Sequence, residues 1–295
     1  MPEHLNTETP ESDTPALRHS GPSFDSRQCT IRSPVRFSHR GLLSGRVTSA
    51  RLKPGPANSG IVFNETIHAR PANAFVEQHL VGLRAGPDSV LGVEHLLAAC
   101  YGLGIDNLQV DVTDGEVPFG DGSALPFVRI LQAAGIRWLK APRMVQPVFA
   151  PVVVSHADAF ICALPADPGS PSADPVALTI NCFIRFPSAA VGEQSLDFNL
   201  ATADFARELG PARTFGYWSE GVRLPDWLGR IGEIRDGMLV PTRPRFADEP
   251  VRHKALDLLG DLCLLGRRLN ARLFAFKTGH KLHHDFLREL EDKWI

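Results

Sequence analysis

Two blocks of this sequence share one layout, and that layout constrains the fold more than any other feature. The first, "VEHLLAACYGLGIDNLQVDV", is typical of a helix that carries His95, a turn with glycine, and a strand. The second, "VRHKALDLLGDLCLLGRRLNARLFAF", repeats that order with His253 on its helix. Short runs typical of strands precede each block. We therefore expect an α+β fold of two similar domains. Each would be a sheet with helices packed on it, with the two histidine-bearing helices facing each other.

The chain length allows this division. The 295 residues are enough for one or two hydrophobic cores. Residues 1–27 are rich in Pro, Ser, Thr, Glu and Asp, and we expect them to form a disordered tail. We place the first α+β domain at residues 28–145 and the second at residues 146–295.

Hydrophobic periodicity and turn residues predict the elements within each domain. In the first, we expect strands within residues 29–37, 46–54, 59–65 and 106–114, and helices within 89–104, ending at Gly102 or Gly104, and within 120–136. In the second, we expect strands within 144–155, 159–165, 176–186 and 271–279, a loop at 165–175, and helices within 202–210, 249–266 and 280–294.

Composition and charge argue against a nucleic-acid-binding or membrane-spanning protein. The formal net charge of −2 gives no basic field for nucleic acid. No apolar run is long enough to span a bilayer, and the polar N-terminus lacks the apolar region of a signal peptide. The five cysteines are scattered without a CxxC pair, which is typical of buried free thiols. We expect a cytoplasmic protein with no nucleic-acid partner and no transmembrane segment.

The helix "VRHKALDLLGD" places His253, Asp257 and Asp261 on one face, a turn apart. Titratable groups beside an apolar surface need solvent, a salt bridge or a metal ion as a partner. His253 and Asp257 can bind one zinc ion together, and His95 is the natural third ligand. Two ordinary explanations stay open: His95 as a hydrogen-bonded core histidine, and His253 with Asp257 as a common helix-surface pair.

A zinc hydrolase also needs a base for the water and an acid for the leaving amine. Glu94, next to His95, can reach that water. His280, at a Gly-His turn before a helix, could be kept protonated by Asp261. The alternative interpretation of the run "GHKLHH" is a polar helix start exposed to solvent, or a chance cluster of histidines. Lys254 and Lys277 could hold an oxyanion or an anionic substrate group, or could be ordinary surface lysines.

Five segments, in order, resemble a known enzyme family: "GVEHLLAACYGLGIDNLQVDV", "VPFGDGSALPFV", "ARTFGY", "RFADEPVRHKALDLLGDLCLLG" and "FKTGHKL". They are similar to UDP-3-O-acyl-N-acetylglucosamine deacetylase, the zinc amidase of lipid A biosynthesis. The resemblance runs from about Gln28 to the C-terminus. It implies two α+β domains with the active site between them, and Zn²⁺ as the cofactor.

The resemblance also implies a role for each matching residue. His95, His253 and Asp257 would bind zinc, Glu94 would be the general base, and His280, oriented by Asp261, would be the acid or electrostatic stabiliser. Thr214 would help to hold the oxyanion, Lys254 would lie at the site, Lys277 would contact the nucleotide diphosphate, and Phe215 would lie beside the substrate.

Three departures from the family pattern concern the substrate. The segment from Trp218 to Pro244 is shorter than the family's insert, which builds an acyl-chain tunnel. The family's "GLHTG" loop is "GLLSG" here, so Leu43 stands where a histidine is usual. The family's "GHxLN" is "GHKLH", so His283 replaces an asparagine.

We therefore expect a zinc-dependent hydrolase that removes the N-acetyl group from UDP-3-O-acyl-N-acetylglucosamine. One alternative is a paralogous zinc amidase on another N-acyl substrate, because the acyl-tunnel segment is shortened. Another is a non-catalytic binding protein on the same fold. The expected partner is a small N-acylated UDP-sugar lipid. The working expectation is a monomer that could touch membrane lipid peripherally.

Overall fold

The computed structural model describes residues 26–166, 177–218 and 225–293, and within them the chain forms a mixed α+β fold. The first half contains β1 (Arg27–Ile31), β2 (Val35–Arg40), β3 (Val47–Pro54), β4 (Ile61–Phe63), β5 (Ile67–His68), β6 (Ala74–Glu77), β7 (Leu80–Ala85), β8 (Asp88–Leu91), α1 (Glu94–Leu103), β9 (Leu108–Val112), α2 (Leu125–Ala134) and β10 (Ile136–Pro142). The second half contains β11 (Val145–Pro147), β12 (Val152–His156), β13 (Ala159–Leu164), β14 (Leu178–Arg185), β15 (Glu193–Asn199), α3 (Phe205–Glu208), β16 (Gly216–Tyr217), β17 (Gly232–Arg235), β18 (Met238–Pro241), α4 (Glu249–Leu262), β19 (Arg268–Phe276) and α5 (His280–Asp292).

The two halves form main sheets of the same topology. Their strand orders are β2-β3-β9-β4-β5 and β12-β13-β19-β14-β15. The central strand, β9 or β19, is antiparallel to one neighbour and parallel to the other in both sheets. Each half also inserts a three-stranded sheet, β6-β7-β8 or β16-β18-β17, before the helix that leads to its central strand. The predicted similarity of the two halves is confirmed by this shared topology.

The strand pairing is compatible with a division near residue 145. Among the described residues, every paired strand has its partner on the same side of residue 144. β1 pairs with β10 at the two ends of the first half, and β11 adds to the edge of the second-half sheet beside β19. The domain boundaries themselves stay a prediction.

Several element predictions need correction. Residues 88–91 form strand β8 instead of the start of a helix, because Gly92, at φ 72°, breaks the chain direction before α1. The stretch 29–37 is two strands separated by a turn. Strands β5 to β8, β10 and β16 to β18 carry too weak an alternation to be predicted, and β15, which alternates at Leu196 and Phe198, was not predicted. The predicted tail lies outside the described residues except for Ser26 and Arg27, as does most of the loop at 165–175.

Both histidine-bearing helices lead into a left-handed glycine. Gly104 ends α1 at φ 77°, and its N–H bonds back to the carbonyls of Cys100 and Tyr101. Gly266 follows α4 and a short 3₁₀ turn at φ 64°. This conformation is readily adopted only by glycine, so each helix turns at a fixed point into the central strand of its sheet.

Helices α1 and α4 pack directly on each other, while α5 packs on α4 and on β12. The α1–α4 approach is close at Gly260, where an added Cβ would lie 2.4 Å from the carbonyl oxygen of Glu94. Consequently the rings of His95 and His253 lie 5.1 Å apart, as expected for facing helices. None of the helices in the described ranges is both long and apolar enough to cross a membrane.

Candidate active site

The contact of α1 with α4 brings three potential metal ligands together. His95, His253 and Asp257 each offer an atom, and these atoms all lie within 4.8 Å of one another. Asp257 Oδ1 is 3.3 Å from His253 Nε2 and 4.0 Å from His95 Nε2. All three residues are buried. The structure thus collects the three residues that the sequence proposed as ligands.

The orientation of His253 suits metal binding. Its Nδ1 lies 3.0 Å from the carbonyl oxygen of Ala212, which can only accept a hydrogen bond. Nδ1 therefore carries the proton, and the lone pair of Nε2 faces Asp257. A metal-binding histidine is commonly oriented by such a bond from its other ring nitrogen.

The protonation states of these three residues also favour metal binding. Burial, together with the adjacent His253, lowers the pKa of His95 to about 3. Burial lowers the pKa of His253 as well, against the pull of Asp257. Burial opposes ionisation of Asp257, but the surrounding histidines and Lys254 outweigh it and hold the pKa of that carboxyl far below its usual range. At neutral pH the site therefore offers two neutral imidazoles and one carboxylate.

This donor set fits zinc. Two imidazole nitrogens and one carboxylate oxygen are a common protein ligand set for catalytic zinc, which leaves a fourth position for water or substrate. Asp257 Oδ1 is buried and has no hydrogen-bond partner among the described residues. A buried carboxylate oxygen without a partner is costly unless a cation compensates it. The residues present therefore fit the metal that the family resemblance implies.

Glu94 is placed to act as a base. It is the first residue of α1, next to His95, and its Oε2 accepts the N–H of Val81 at 3.1 Å. Burial raises the pKa of Glu94 to about 7, although nearby His280 opposes this shift. Glu94 lines a crevice of about 10 Å³, with His95, Leu42 and Phe119 among its walls. Such a space holds about one water molecule.

His280 and Asp261 form the predicted pair. His280 Nδ1 donates to Asp261 Oδ2 at 2.7 Å, and both residues are buried. His280 Nε2 lies 3.9 Å from Asp257 Oδ2, so its second N–H faces the ligand group. Burial disfavours the cation, but Asp261 outweighs burial and raises the pKa of His280 to about 9. His280 is thus a proton donor at neutral pH.

Lys254 and Phe215 lie next to the ligand group. Lys254 Nζ donates to Asp257 Oδ2 at 2.5 Å. Burial opposes the charge of Lys254, yet Asp257 holds the pKa of this amine above its usual value. The ring of Phe215 is 6.4 Å from that of His253 and 6.0 Å from Lys254 Nζ.

Thr214 is held by its backbone. Its N–H donates to the carbonyl of Gly122 at 2.7 Å, and its methyl would touch a Cβ added to Gly122. The threonine hydroxyl makes no hydrogen bond to any described residue, so it is available to a ligand. The structure gives no contact between this hydroxyl and the three ligands.

A cavity of about 330 Å³ adjoins His280. Its walls carry a strong excess of basic over acidic side chains, with Asp285 on the acidic side. The basic lining residues are His79, His156, Lys254, Lys277, His280 and Lys281. Lys277 pairs with Asp158 at its edge. The sequence pointed to Lys254, Lys277 and His280 but gave no signal for His79 and His156, because the fold brings these two from distant parts of the chain.

The described part of the shortened segment contributes an aromatic side chain near the ligand group. The ring of Trp227, just before β17, packs edge-on at 5.9 Å against Phe119, whose ring lies 6.4 Å from His95. Aromatic side chains thus extend from the ligand group toward β17. Leu43, which replaces the usual histidine, is partly exposed, and its N–H donates to Glu116.

Sequence reasoning missed the surroundings of Asp261. Its Oδ2 also accepts a hydrogen bond from His283 Nδ1 at 2.6 Å. His284 Nε2 lies 3.4 Å from the other oxygen, Oδ1. The available signal was the run "HKLHH", whose spacing places His280, His283 and His284 on one face of α5.

Comparison with known proteins agrees with this geometry. The family model described as "UDP-3-O-acyl N-acetylglycosamine deacetylase" matches residues 28–292. Three similar proteins are all named UDP-3-O-acyl-N-acetylglucosamine deacetylase. The protein from Myxococcus xanthus is 37% identical over 89% of this chain and 86% of its own length. The protein from Oleidesulfovibrio alaskensis is 35% identical over 90% and 89%, and that from Phenylobacterium zucineum is 36% identical over 90% and 95%. The chain therefore belongs to the UDP-3-O-acyl N-acetylglycosamine deacetylase family.

Proposed function

We propose that this chain uses zinc held by His95, His253 and Asp257, with Glu94 as base and His280 as acid, to hydrolyse the N-acetyl amide of its substrate. Family membership makes it a deacetylase of UDP-3-O-acyl-N-acetylglucosamine, a hydrolase of lipid A biosynthesis. One observation carries the mechanism. A buried group of two imidazoles and a carboxylate adjoins both a carboxyl group, Glu94, whose pKa is raised to about 7, and a histidine, His280, whose pKa is raised to about 9.

Zinc bound to these residues would polarise the amide carbonyl and lower the pKa of the attacking water. The protein residues do the rest. Glu94, whose pKa is raised to about 7, accepts the proton of the water as the water oxygen bonds to the carbonyl carbon. The hydroxyl of Thr214 and the ammonium of Lys254 stabilise the oxyanion of the tetrahedral intermediate.

Collapse of that intermediate breaks the C–N bond. The leaving nitrogen takes a proton from His280 Nε2, which faces the ligand group while Nδ1 is held by Asp261. The products are acetate and the free amine of the sugar. Glu94 then holds the proton from the water, and His280 has given one up. Loss of a proton from Glu94 to solvent and uptake of one by His280 from solvent together reset the site.

We assign each part of the substrate to a surface around the three proposed zinc ligands. We assign the nucleotide diphosphate to the basic cavity beside His280, where Lys277 is a principal contact. Phe215 lies close to both Lys254 and His253, and we assign it to packing on the sugar. The aromatic surface of Phe119 and Trp227 gives the 3-O-acyl chain an apolar path. The shortened segment favours a shorter chain than the family's full insert would accept.

The decisive test uses the purified protein with UDP-3-O-acyl-N-acetylglucosamines of several acyl lengths. We expect acetate release that is lost on chelation and restored by zinc. Glu94→Gln keeps the shape of the base but removes its charge, and should lower kcat by about 10²–10⁴-fold with zinc still bound. Undiminished hydrolysis by this variant would show that Glu94 is not the base.

The remaining expectations stay proposals. A monomer, a location in the cytoplasm and peripheral contact with membrane lipid are consistent with a substrate that carries both a nucleotide and an acyl chain. Analytical ultracentrifugation and vesicle co-sedimentation would test the first and the last of these.

A further inference from the structure

His283 has an environment that the proposed mechanism does not use. It is fully buried on α5, one turn after His280. Its Nδ1 donates to Asp261 Oδ2 at 2.6 Å, and its Nε2 lies 2.8 Å from Thr278 Oγ1. A carboxylate only accepts hydrogen bonds, so Nδ1 carries the proton. Nε2 is then the acceptor for the threonine hydroxyl.

We propose that His283 is a positioning residue: linked to Thr278, it fixes the Asp261 carboxylate so that Oδ2 meets His280 Nδ1 in the orientation needed for proton delivery. This inference rests on the proposed roles of Asp261 and His280. His283 itself does not touch the ligand group in the described structure, so its effect passes through Asp261.

The positioning role of His283 is supported by a shared acceptor, because His280 and His283 both donate to the same oxygen of Asp261. Oδ2 of Asp261 receives N–H donors from both His280 and His283, at 2.7 Å and 2.6 Å. Without the second donor, the carboxylate could rotate about its Cβ–Cγ bond toward His284, which lies 3.4 Å from Oδ1. The buried chain from Thr278 through His283 to Asp261 opposes that rotation, because hydrogen bonds of 2.8 Å and 2.6 Å hold His283 between its two partners.

Burial keeps His283 in the required form. It lowers the pKa of His283, although Asp261 opposes the shift. A neutral imidazole can donate from Nδ1 and accept at Nε2 at once, whereas the protonated ring could not accept from Thr278. The rigid ring spans the gap between the two partners. The asparagine of the family pattern can also donate one N–H to Asp261, through a shorter side chain.

Kinetics on the zinc-loaded enzyme give the first arm of the test. His283→Leu removes the donor and should lower kcat by about 10-fold with KM within about twofold, the lower end of effects for groups that orient site residues. His283→Asn restores a donor and should recover most of that loss. Thr278→Val keeps His283 but removes its second partner, and should give an intermediate loss. Leu287→Ala, a buried change on the same helix, is the matched control for destabilisation and should leave the kcat of the folded fraction unchanged.

Proton NMR gives a readout that does not depend on activity. Two strongly hydrogen-bonded imidazole N–H signals are expected, one each from His280 and His283 on Asp261. His283→Leu should remove one and shift or broaden the other, whereas Leu287→Ala should leave both. A His280 signal that is unmoved in His283→Leu overturns the proposal, as does a kcat equal to that of the wild type. If wild-type protein shows no amide hydrolysis, the proposed function fails, and the NMR arm still decides whether His283 positions Asp261.

Discussion

Replacing Gly260 with alanine tests whether the close approach of α1 and α4 builds the metal site. A Cβ at this position would lie 2.4 Å from the carbonyl oxygen and 3.2 Å from the carbonyl carbon of Glu94. Both atoms belong to the backbone, so no side-chain rotation relieves the overlap. An ordinary contact begins at 3.4 Å, and the two helices must therefore separate locally by about 1 Å.

The stability effect combines two opposing terms. Overpacking of this kind costs about 1–3 kcal/mol, while alanine in place of glycine within a helix contributes about 1 kcal/mol in the opposite direction. We expect a net loss of about 1 kcal/mol. For a chain of this size, that corresponds to a fall in Tm of about 2–4 °C.

The effect of this substitution on zinc affinity should be larger than its effect on stability. His95 lies on α1, whereas His253 and Asp257 lie on α4, so separating the helices moves one ligand away from the other two. Zinc–ligand distances tolerate only about 0.2 Å. A displacement near 1 Å should weaken zinc affinity by about 10-fold or more. The kcat should fall by up to about 10²-fold, because Glu94 moves as well.

The assay is a zinc competition with a chromophoric chelator, combined with Tm and kcat on the zinc-saturated protein. Gly216→Ala is the control, because a Cβ there meets no atom within 4 Å. If Gly260→Ala binds zinc as tightly as the wild type, the α1–α4 contact does not set the ligand geometry. That result would refute the reasoning.

Three further predictions follow from single contacts. Asp257→Asn removes the carboxylate ligand and should weaken zinc binding by at least about 100-fold, measured by metal content after dialysis. Asp121→Asn tests a salt bridge of 2.6 Å to Arg245. Although burial opposes it, hydrogen bonds from Ser123 and Arg245 lower the pKa of Asp121, so this carboxylate stabilises the fold above its unfolded pKa of about 4 and loses that effect as pH falls. Urea denaturation should show the variant less stable than wild type by about 1 kcal/mol at pH 7, with the difference shrinking as pH falls below about 4; an equal gap at neutral and acid pH would contradict this. Lys277→Ala should raise KM for the UDP-sugar about 10-fold with kcat nearly unchanged; an unaltered KM would place the diphosphate elsewhere.

Most of the features that could be predicted from the sequence concern the positions of side chains on helices. The i, i+4, i+8 spacing of His253, Asp257 and Asp261 fixes them on one face of α4, because helical geometry is local. The same face then serves two purposes: the first two residues meet His95, and the third meets His280. The strands were harder to predict from the sequence. The short strands of the two inserted sheets have little alternation, and their existence depends on partners distant in sequence.

The sequence by itself determined the repeated helix–glycine–strand layout and the α+β class, and its family motifs indicated the residues that we propose as ligands, base and acid. The layout follows from local periodicity, and the proposed roles follow from residue chemistry and the resemblance to the family. Only the tertiary structure decided that Gly260 brings the two helices close enough to unite the ligands. It alone placed histidines and lysines from distant parts of the chain in one cavity, and it alone gave His283 a place between Thr278 and Asp261. The physical reason is that these contacts join groups far apart along the chain, whose distances are set by helix packing and strand order and by no local pattern.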